Sequence, residues 1–239
     1  MRLDLALASR LGISRRKARE QIAAGRVQVN RRRVAIASRE VGERDEVLLL
    51  SDPAVELPVL AITPEWLAVD KPAGLPTQPA RERSRVSLED LVRAEYRTIF
   101  LVHRLDTPAS GAVLFARSRE AAARLSALFA SGEIRKTYLA VVEGVLDRPL
   151  TIEIPVRGKQ AATIVRPLRA VAYGTLAEVG IRTGRTHQIR VHLASRGHPV
   201  AGDRRYGSTI NAPRLMLHAW RLEHPELGRI EAPVPPEFV

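Results

Sequence analysis

Leu3, Leu7 and Leu11 recur every four residues, which places them on one face of a short helix that Gly12 is expected to end. Ser14 then stands at an N-cap position. The run Arg15 to Ala24 predicts a second helix with Ala18 and Ile22 turned inward and Gly25 as its terminator. From Gly25 the period changes to two. Val27 and Val29 alternate with Arg26 and Gln28, Asn30 to Arg33 forms a turn, and Val34 to Ile36 and Glu46 to Leu50 supply further strands. Pro53, Pro58 and Pro64 allow neither a helix nor a central strand, so Ser51 to Pro64 reads as a linker that also leads into a strand. Beyond Trp66 the pattern predicts strands near 66–70, 112–116, 137–143, 151–156, 163–181 and 186–193, with helices near 87–96 and 119–130. Strands and helices without regular alternation indicate an α+β chain with a mainly antiparallel sheet.

Composition adds a polyanionic partner to that picture. The 239 residues carry 38 Lys and Arg against 26 Asp and Glu, a net charge of +12. The excess is concentrated: residues 1–33 hold ten basic side chains against Asp4 and Glu20, a balance of +8. Arg15, Arg16 and Arg19 can share one face of the second helix, away from Ile22. A clustered basic face points to nucleic acid. With no cysteine there is no disulfide, thiolate nucleophile or Cys-based zinc site. No apolar run approaches the roughly 18 to 20 residues that span a bilayer, and the first residues lack a secretory pattern, so a cytoplasmic protein without membrane contact is expected.

Candidate chemistry lies in four segments where polar residues, Gly and Pro adjoin apolar strands: 69–76, 103–111, 135–144 and 184–193. In His103-Arg104-Leu105-Asp106-Thr107-Pro108-Ala109-Ser110-Gly111 one carboxylate sits ahead of a turn. Taken alone, Asp106 is either a turn residue or a positioned catalyst. If 186–193 is a strand, Thr186, Gln188, Arg190 and His192 share one face, opposite Ile189 and Val191. An Arg amid apolar residues calls for a carboxylate, because an unpaired buried guanidinium is costly; Asp106 is the expected partner and would stay ionised at pH 7. His187 and His192 lack zinc-helix spacing, Ser110, His103 and Asp106 lie too close in one turn to make a hydrolase triad, and phosphate-loop and dinucleotide glycine patterns are absent.

Two resemblances follow. Residues 1–50 resemble the S4 RNA-binding domain, through Arg2-Leu3-Asp4, Ser14 to Arg19 and Gly25 to Asn30, with Asn30-Arg31 where that family usually has Asn-Gly. The four segments of residues 62–239 resemble the catalytic domain of RluA-type pseudouridine synthases. The matching pieces are Asp70 to Gly74, Asp106 with Ser110-Gly111, Lys136 and Tyr138, Gly184 to His192, Gly197 to Pro199, Gly202 to Gly207, and Leu217 to Leu222. Thr107-Pro108-Ala109 departs from the family, which more often has Thr just before Ser-Gly.

The resemblance implies an S4-like α/β module at 1–50, a linker at 51–61 and a mainly antiparallel mixed-sheet catalytic domain at 62–239. It implies isomerisation of uridine to pseudouridine in structured RNA, ribosomal favoured over transfer RNA, without metal or cofactor and without an obligate protein partner, a monomer being expected. Asp106 would be the catalytic carboxylate, Arg190 its partner, Tyr138 the base-stacking ring, Arg104 the side chain filling the place of the flipped nucleotide, and Leu217 an apolar wall. Arg15, Arg16, Lys17, Arg19 and Arg26 would hold the RNA. The alternative is a non-catalytic RNA-binding or ribosome-assembly factor keeping the fold.

Overall fold

The computed structural model describes residues 1–23, 25–30, 32–34, 36–49, 57–79, 86–96 and 98–239. The expected helix end at Ala24, turn residue Arg31, strand residues Ala35 and Leu50, and linker residues 51–56 with Pro53 lie outside these. The chain divides into two compact units, Met1–Leu57 with Pro76–Arg97 and Pro58–Leu75 with Thr98–Val239.

In the first unit, helices α1 (Leu3–Leu11) and α2 (Arg15–Ala23) precede strands β1 (Val27–Val29), β2 (Arg32–Val34) and β3 (Val47–Leu49), which form an antiparallel sheet in the order β2-β1-β3. Gly12, left-handed at φ 62°, ends α1, and the Ser14 hydroxyl caps α2 by accepting from Lys17 N at 3.2 Å. Leu3, Leu7, Ala18, Ile22, Val27 and Val29 make the core; Leu11, the third leucine of the expected stripe, is exposed. Asn30 takes φ 52° at the hairpin turn, and its side chain bridges Asp45 and the Glu46 amide.

Helix α3 (Leu88–Glu95) also belongs to this unit, although its sequence position placed it with residues 62–239. Ser87 and Asp90 form a reciprocal cap at its start. The segment before it comes so close to Gly25 that a Cβ there would stand 2.3 Å from Val86 Cγ2.

The second unit is one ten-stranded sheet. Its strands are β4 (Val59–Ile62), β5 (Trp66–Lys71), β6 (Phe100–Leu101), β7 (Ser110–Ala116), β8 (Arg135–Val142), β9 (Leu150–Ile152), β10 (Thr163–Val171), β11 (Gly174–Ile181), β12 (Leu217–His224) and β13 (Gly228–Glu231). The order is β4-β5-β7-β12-β8-β11-β10-β9, with β6 on β7 and β13 on β12. Every described pairing is antiparallel except β7 with β12, where Ser110 faces His218 and Gly111 faces Ala219. Gly111 permits that seam: at φ 114°, a Cβ would lie 2.2 Å from the Ala219 carbonyl oxygen. Helix α4 (Arg119–Ser131) packs against β7 and β6, with Ala121 and Leu125 in the core on that side, and α5 (Gln188–Ser195) packs against β10, with Ile189 and Leu193 in the core cluster that also takes in β8 and β11. Among the described residues, no helix is long and apolar enough to cross a membrane.

Three expectations are corrected here. Residues 186–193 are not a strand: His187 is left-handed and Gln188–Ser195 is helical. The single strand at 163–181 is two strands joined by the two-residue turn Ala172-Tyr173. The strand at 151–156 ends at Ile152, short of Pro155.

Candidate active site

The loop 103–109 joins β6 to β7 and is fastened from several sides. His103 stacks on Phe129 at 4.3 Å, and its Nε2 accepts the Leu114 amide at 2.9 Å. Burial pushes its pKa down to about 3, the neutral form this hydrogen bond requires. Ser110 Oγ lies 2.9 Å from His218 Nδ1. Neither residue therefore joins Asp106 in a triad.

Lys71, wholly buried, donates to the carbonyls of Pro72 (2.9 Å), Leu75 (2.8 Å) and Thr107 (3.2 Å), and Gly74 N donates to Thr107 at 2.8 Å. This lysine ties the 70–75 loop to the residue after Asp106. Burial lowers its pKa to about 8, against the pull of the Asp106 charge.

Asp106 meets Arg190 across the pocket floor. Arg190 Nη1 donates to Asp106 Oδ2 at 3.0 Å, the expected pairing. The same guanidinium is gripped by Asp203, Nε to Oδ2 at 2.6 Å and Nη2 to Oδ1 at 2.8 Å. Burial alone would lower the Arg190 pKa, but the bonds to Asp203 and Asp106 hold it up. On the other oxygen, His187 Nε2 lies 3.6 Å from Asp106 Oδ1.

The helix explains which side chains face the site. Gln188 and His192, four apart, turn together toward β10: Gln188 bonds Ala162 O and Thr163 Oγ1, and His192 bonds Thr163 Oγ1 and Ile154 O. Arg190, two residues from each, points the other way.

Above this floor opens a pocket of about 110 Å³ lined by Arg104, Leu105, Asp106, Ala109, Tyr138, Ile181, Arg185, Thr186, His187, Ile189, Arg190 and Leu217, among others. Tyr138 on β8 and Leu217 on β12 share one sheet face, as diagonal neighbours across the Ala219–Tyr138 and Leu217–Ala140 pairs. Burial and the Asp106 charge raise the Tyr138 pKa, so its ring is a neutral phenol. Arg104 is exposed at the rim. Walls divided between apolar side chains (Ala109, Tyr138, Ile181, Leu217) and polar ones (Arg104, Arg185, Thr186, His187), over a carboxylate paired with Arg190, suit a flat, partly polar ring above a reactive carboxylate.

A family model for RNA pseudouridylate synthase matches residues 65–195, more than half of the chain. The chain belongs to the RNA pseudouridylate synthase family. An S4 domain model matches residues 1–47 of this family member. An uncharacterized RNA pseudouridine synthase of Helicobacter pylori strain J99 is 33% identical over 95% of this chain and 94% of its own length. The ribosomal large subunit pseudouridine synthase D of Nitrosomonas europaea is 33% identical over 77% of this chain; the match spans 64% of that relative. The solved human RNA pseudouridylate synthase domain containing 1 superposes with a TM-score of 0.64 over 79% of this chain and 86% of its own, at 26% identity.

In this family member the pocket brings together Asp106, Arg190, Tyr138, Arg104 and Leu217, from three of the four chemistry-bearing segments and β12; the fourth segment, 69–76, reaches the residue after Asp106 through Lys71. Sequence reasoning gave no role to Asp203, Tyr206 or His187, although an Arg in an apolar setting signals a dedicated carboxylate and Gly202 to Gly207 stood out as a matching segment. The five basic residues of the first unit differ in setting. Arg15 and Arg19 donate to the buried Asp4 at 3.0 and 2.8 Å, Arg16 pairs with Glu20 on the surface, Lys17 is exposed, and Arg26 lies 3.4 Å from Gln21 Oε1.

Proposed function

We propose that the chain converts uridine to pseudouridine in ribosomal RNA, with Asp106 as the catalytic carboxylate. One observation carries this reading: a single carboxylate, bonded by Arg190, lies at the floor of a pocket walled by Tyr138 and Leu217. The reaction breaks the N1–C1′ bond and joins C5 to C1′; C5 loses a proton and N1 gains one. It is redox-neutral and needs one group acting on the sugar or base as nucleophile or base, which a carboxylate supplies. Tyr138 stacks on the extruded uracil, Leu217 closes its edge, and Arg104 fills the gap left in the RNA. Ribosomal RNA is favoured by the relatives named ribosomal large subunit pseudouridine synthases D and C. The chain acts as a cytoplasmic monomer.

The test is tritium release from RNA labelled at uracil C5, offered as large-subunit ribosomal RNA and as transfer RNA. Release from ribosomal RNA is expected. Release from transfer RNA alone overturns the substrate assignment, and none from either overturns the activity.

The basic residues of the first unit hold the RNA. Arg16→Ala with Lys17→Ala is expected to reduce the slope of log affinity against log salt by about 1.4 to 1.8, with the melting curve unchanged. An unchanged slope would remove these two from the interface. They are the clean probes, because Arg15 and Arg19 also neutralise Asp4.

A further inference from the structure

Arg190 is one of two arms that reach Asp106, and the other ends in a hydroxyl. We infer that His187, held in its Nε2–H tautomer by the Tyr206 hydroxyl, is a second positioning residue for Asp106. This rests on the reading of Asp106 as the catalytic carboxylate.

His187 Nδ1 lies 2.8 Å from the Tyr206 hydroxyl, and the two rings meet edge to face at 5.6 Å and 81°. Its Nε2 faces Asp106 Oδ1 at 3.6 Å, while Arg190 takes Oδ2. At φ 60° the His187 backbone sits in the left-handed region, which a side-chain-bearing residue adopts only at a cost. The surroundings must hold it there.

One turn supports both arms. Asp203 grips Arg190 and, three residues on, Tyr206 meets His187, with its ring 5.0 Å from the Arg190 guanidinium carbon. The turn is itself anchored: Ser208 Oγ accepts the Gly202 amide at 2.9 Å and donates to Glu143, which also accepts the Ile210 amide at 3.0 Å.

The charged and titratable groups around His187 decide its protonation. Burial and the guanidiniums of Arg190, Arg205 and Arg157 disfavour a second proton, Asp106 favours one, and the net shift is downward, so the imidazole is neutral at pH 7. A neutral ring carries one N–H. A bare Nε2 lone pair facing a carboxylate oxygen is repulsive, whereas an N–H there is attractive; Nδ1 then accepts from the Tyr206 hydroxyl. The Arg190 hydrogen bond on Oδ2 and the His187 N–H aimed at Oδ1 from 3.6 Å restrain the rotation of the carboxylate and so set which of its remaining lone pairs face the nucleoside.

Tyr206→Phe tests this while keeping the ring on Arg190. kcat is expected to fall about ten-fold with KM within about two-fold, as for one lost orienting hydrogen bond. A positioning role also predicts a spectroscopic change that a packing role does not. In protein labelled with ¹⁵N-histidine, the His187 resonances, assigned through His187→Gln, should report protonated Nε2 in the natural protein and a tautomer mixture in Tyr206→Phe. His187→Leu should lose about 30-fold in kcat, and His187→Gln, whose amide N–H has similar reach, should recover to within about three-fold of the natural enzyme. Melting temperatures separate these effects from misfolding. Wild-type kcat in both Tyr206→Phe and His187→Leu, or a proton on Nδ1 in the natural protein, overturns the inference. Asp106→Asn, assayed alongside, separates the two readings: if it stays active, the catalytic assignment of Asp106 fails first, and if it is dead while the other variants are fully active, only the second arm fails.

Discussion

Asp106→Asn is expected to reduce turnover by at least about 10⁴-fold, as for loss of an essential nucleophile or base. An amide matches the carboxylate in shape, and neither attacks carbon nor takes a proton. The substitution would usually be ambiguous, because removing one partner of a buried ion pair costs about 3 to 5 kcal/mol and can unfold a domain. Here it is not. Arg190 keeps two bonds to Asp203, at 2.6 and 2.8 Å, and the amide oxygen of Asn can still accept from Nη1. The expected stability loss is therefore only about 1 kcal/mol, with RNA affinity within about three-fold of the natural protein. Single-turnover tritium release with a filter-binding assay checks both halves. Residual turnover above a tenth of wild type would take Asp106 out of the chemistry. Asp203→Asn, by contrast, should lose stability as well as activity, because Asp203 holds Arg190 through two bonds.

Asp4→Asn is expected to destabilise the first unit by about 3 kcal/mol at pH 7. The Asp4 side chain is wholly buried and receives Arg2 at 3.3 Å, Arg15 at 3.0 Å and Arg19 at 2.8 Å. Burial would raise its pKa, yet the Arg19 and Arg15 hydrogen bonds, with the charges of Arg15 and Arg2, outweigh it and hold the carboxyl well below the usual range. An asparagine leaves three guanidiniums converging on a neutral group. A depressed folded-state pKa contributes stability that is complete above the unfolded value near 3.9 and is lost as pH falls toward the folded one. The gap between natural protein and variant should therefore be constant from pH 5 to 8 and narrow below about pH 4. Both tryptophans, Trp66 and Trp220, lie in the second unit, so their fluorescence does not report this change. Amide exchange in α1 and α2 does: the variant should exchange about 100-fold faster at pH 7. A change under two-fold would mean that Asp4 does not organise these arginines.

The sequence was most legible where one face is buried and the other solvated. The α1 and α2 stripes and the Ser14 cap follow directly from period and punctuation, while β5 and β7, buried on both faces, are marked instead by short continuous apolar runs. It misled at 186–193 because Gln188, Ile189, Arg190, His192 and Leu193 are all buried. The helix buries its polar Gln188, Arg190 and His192 and turns Val191, Ala194 and Ser195 partly outward, so no polar face marks a period of 3.6, and Thr-His-Gln-Ile-Arg-Val-His-Leu alternates by accident as a strand would. The Arg190–Asp106 pair was still legible, since the cost of an unpaired guanidinium does not depend on the backbone carrying it. Asp203 and Tyr206 were not, because their roles depend on a turn brought against α5 from outside that motif. The placement of α3 escaped for a similar reason: Ser87 to Glu95 announces a capped helix, but nothing local says which unit its Leu88 and Val92 will join.

The parallel seam between β7 and β12 also sets a timetable. Ser110 and His218, bonded across it, are 108 residues apart. At about 5 to 20 residues per second, a ribosome makes the second of them roughly 5 to 20 s after the first. During that interval the strand that follows Asp106 is paired on that edge only by β6, at Phe115 and Ala116, its Ser110-Gly111 end has no partner there, and the pocket lacks Leu217. On the proposed function, a nascent chain therefore carries its basic N-terminal helices long before it can modify a uridine, and a product truncated ahead of β12 is expected to bind RNA but leave every uridine as it was.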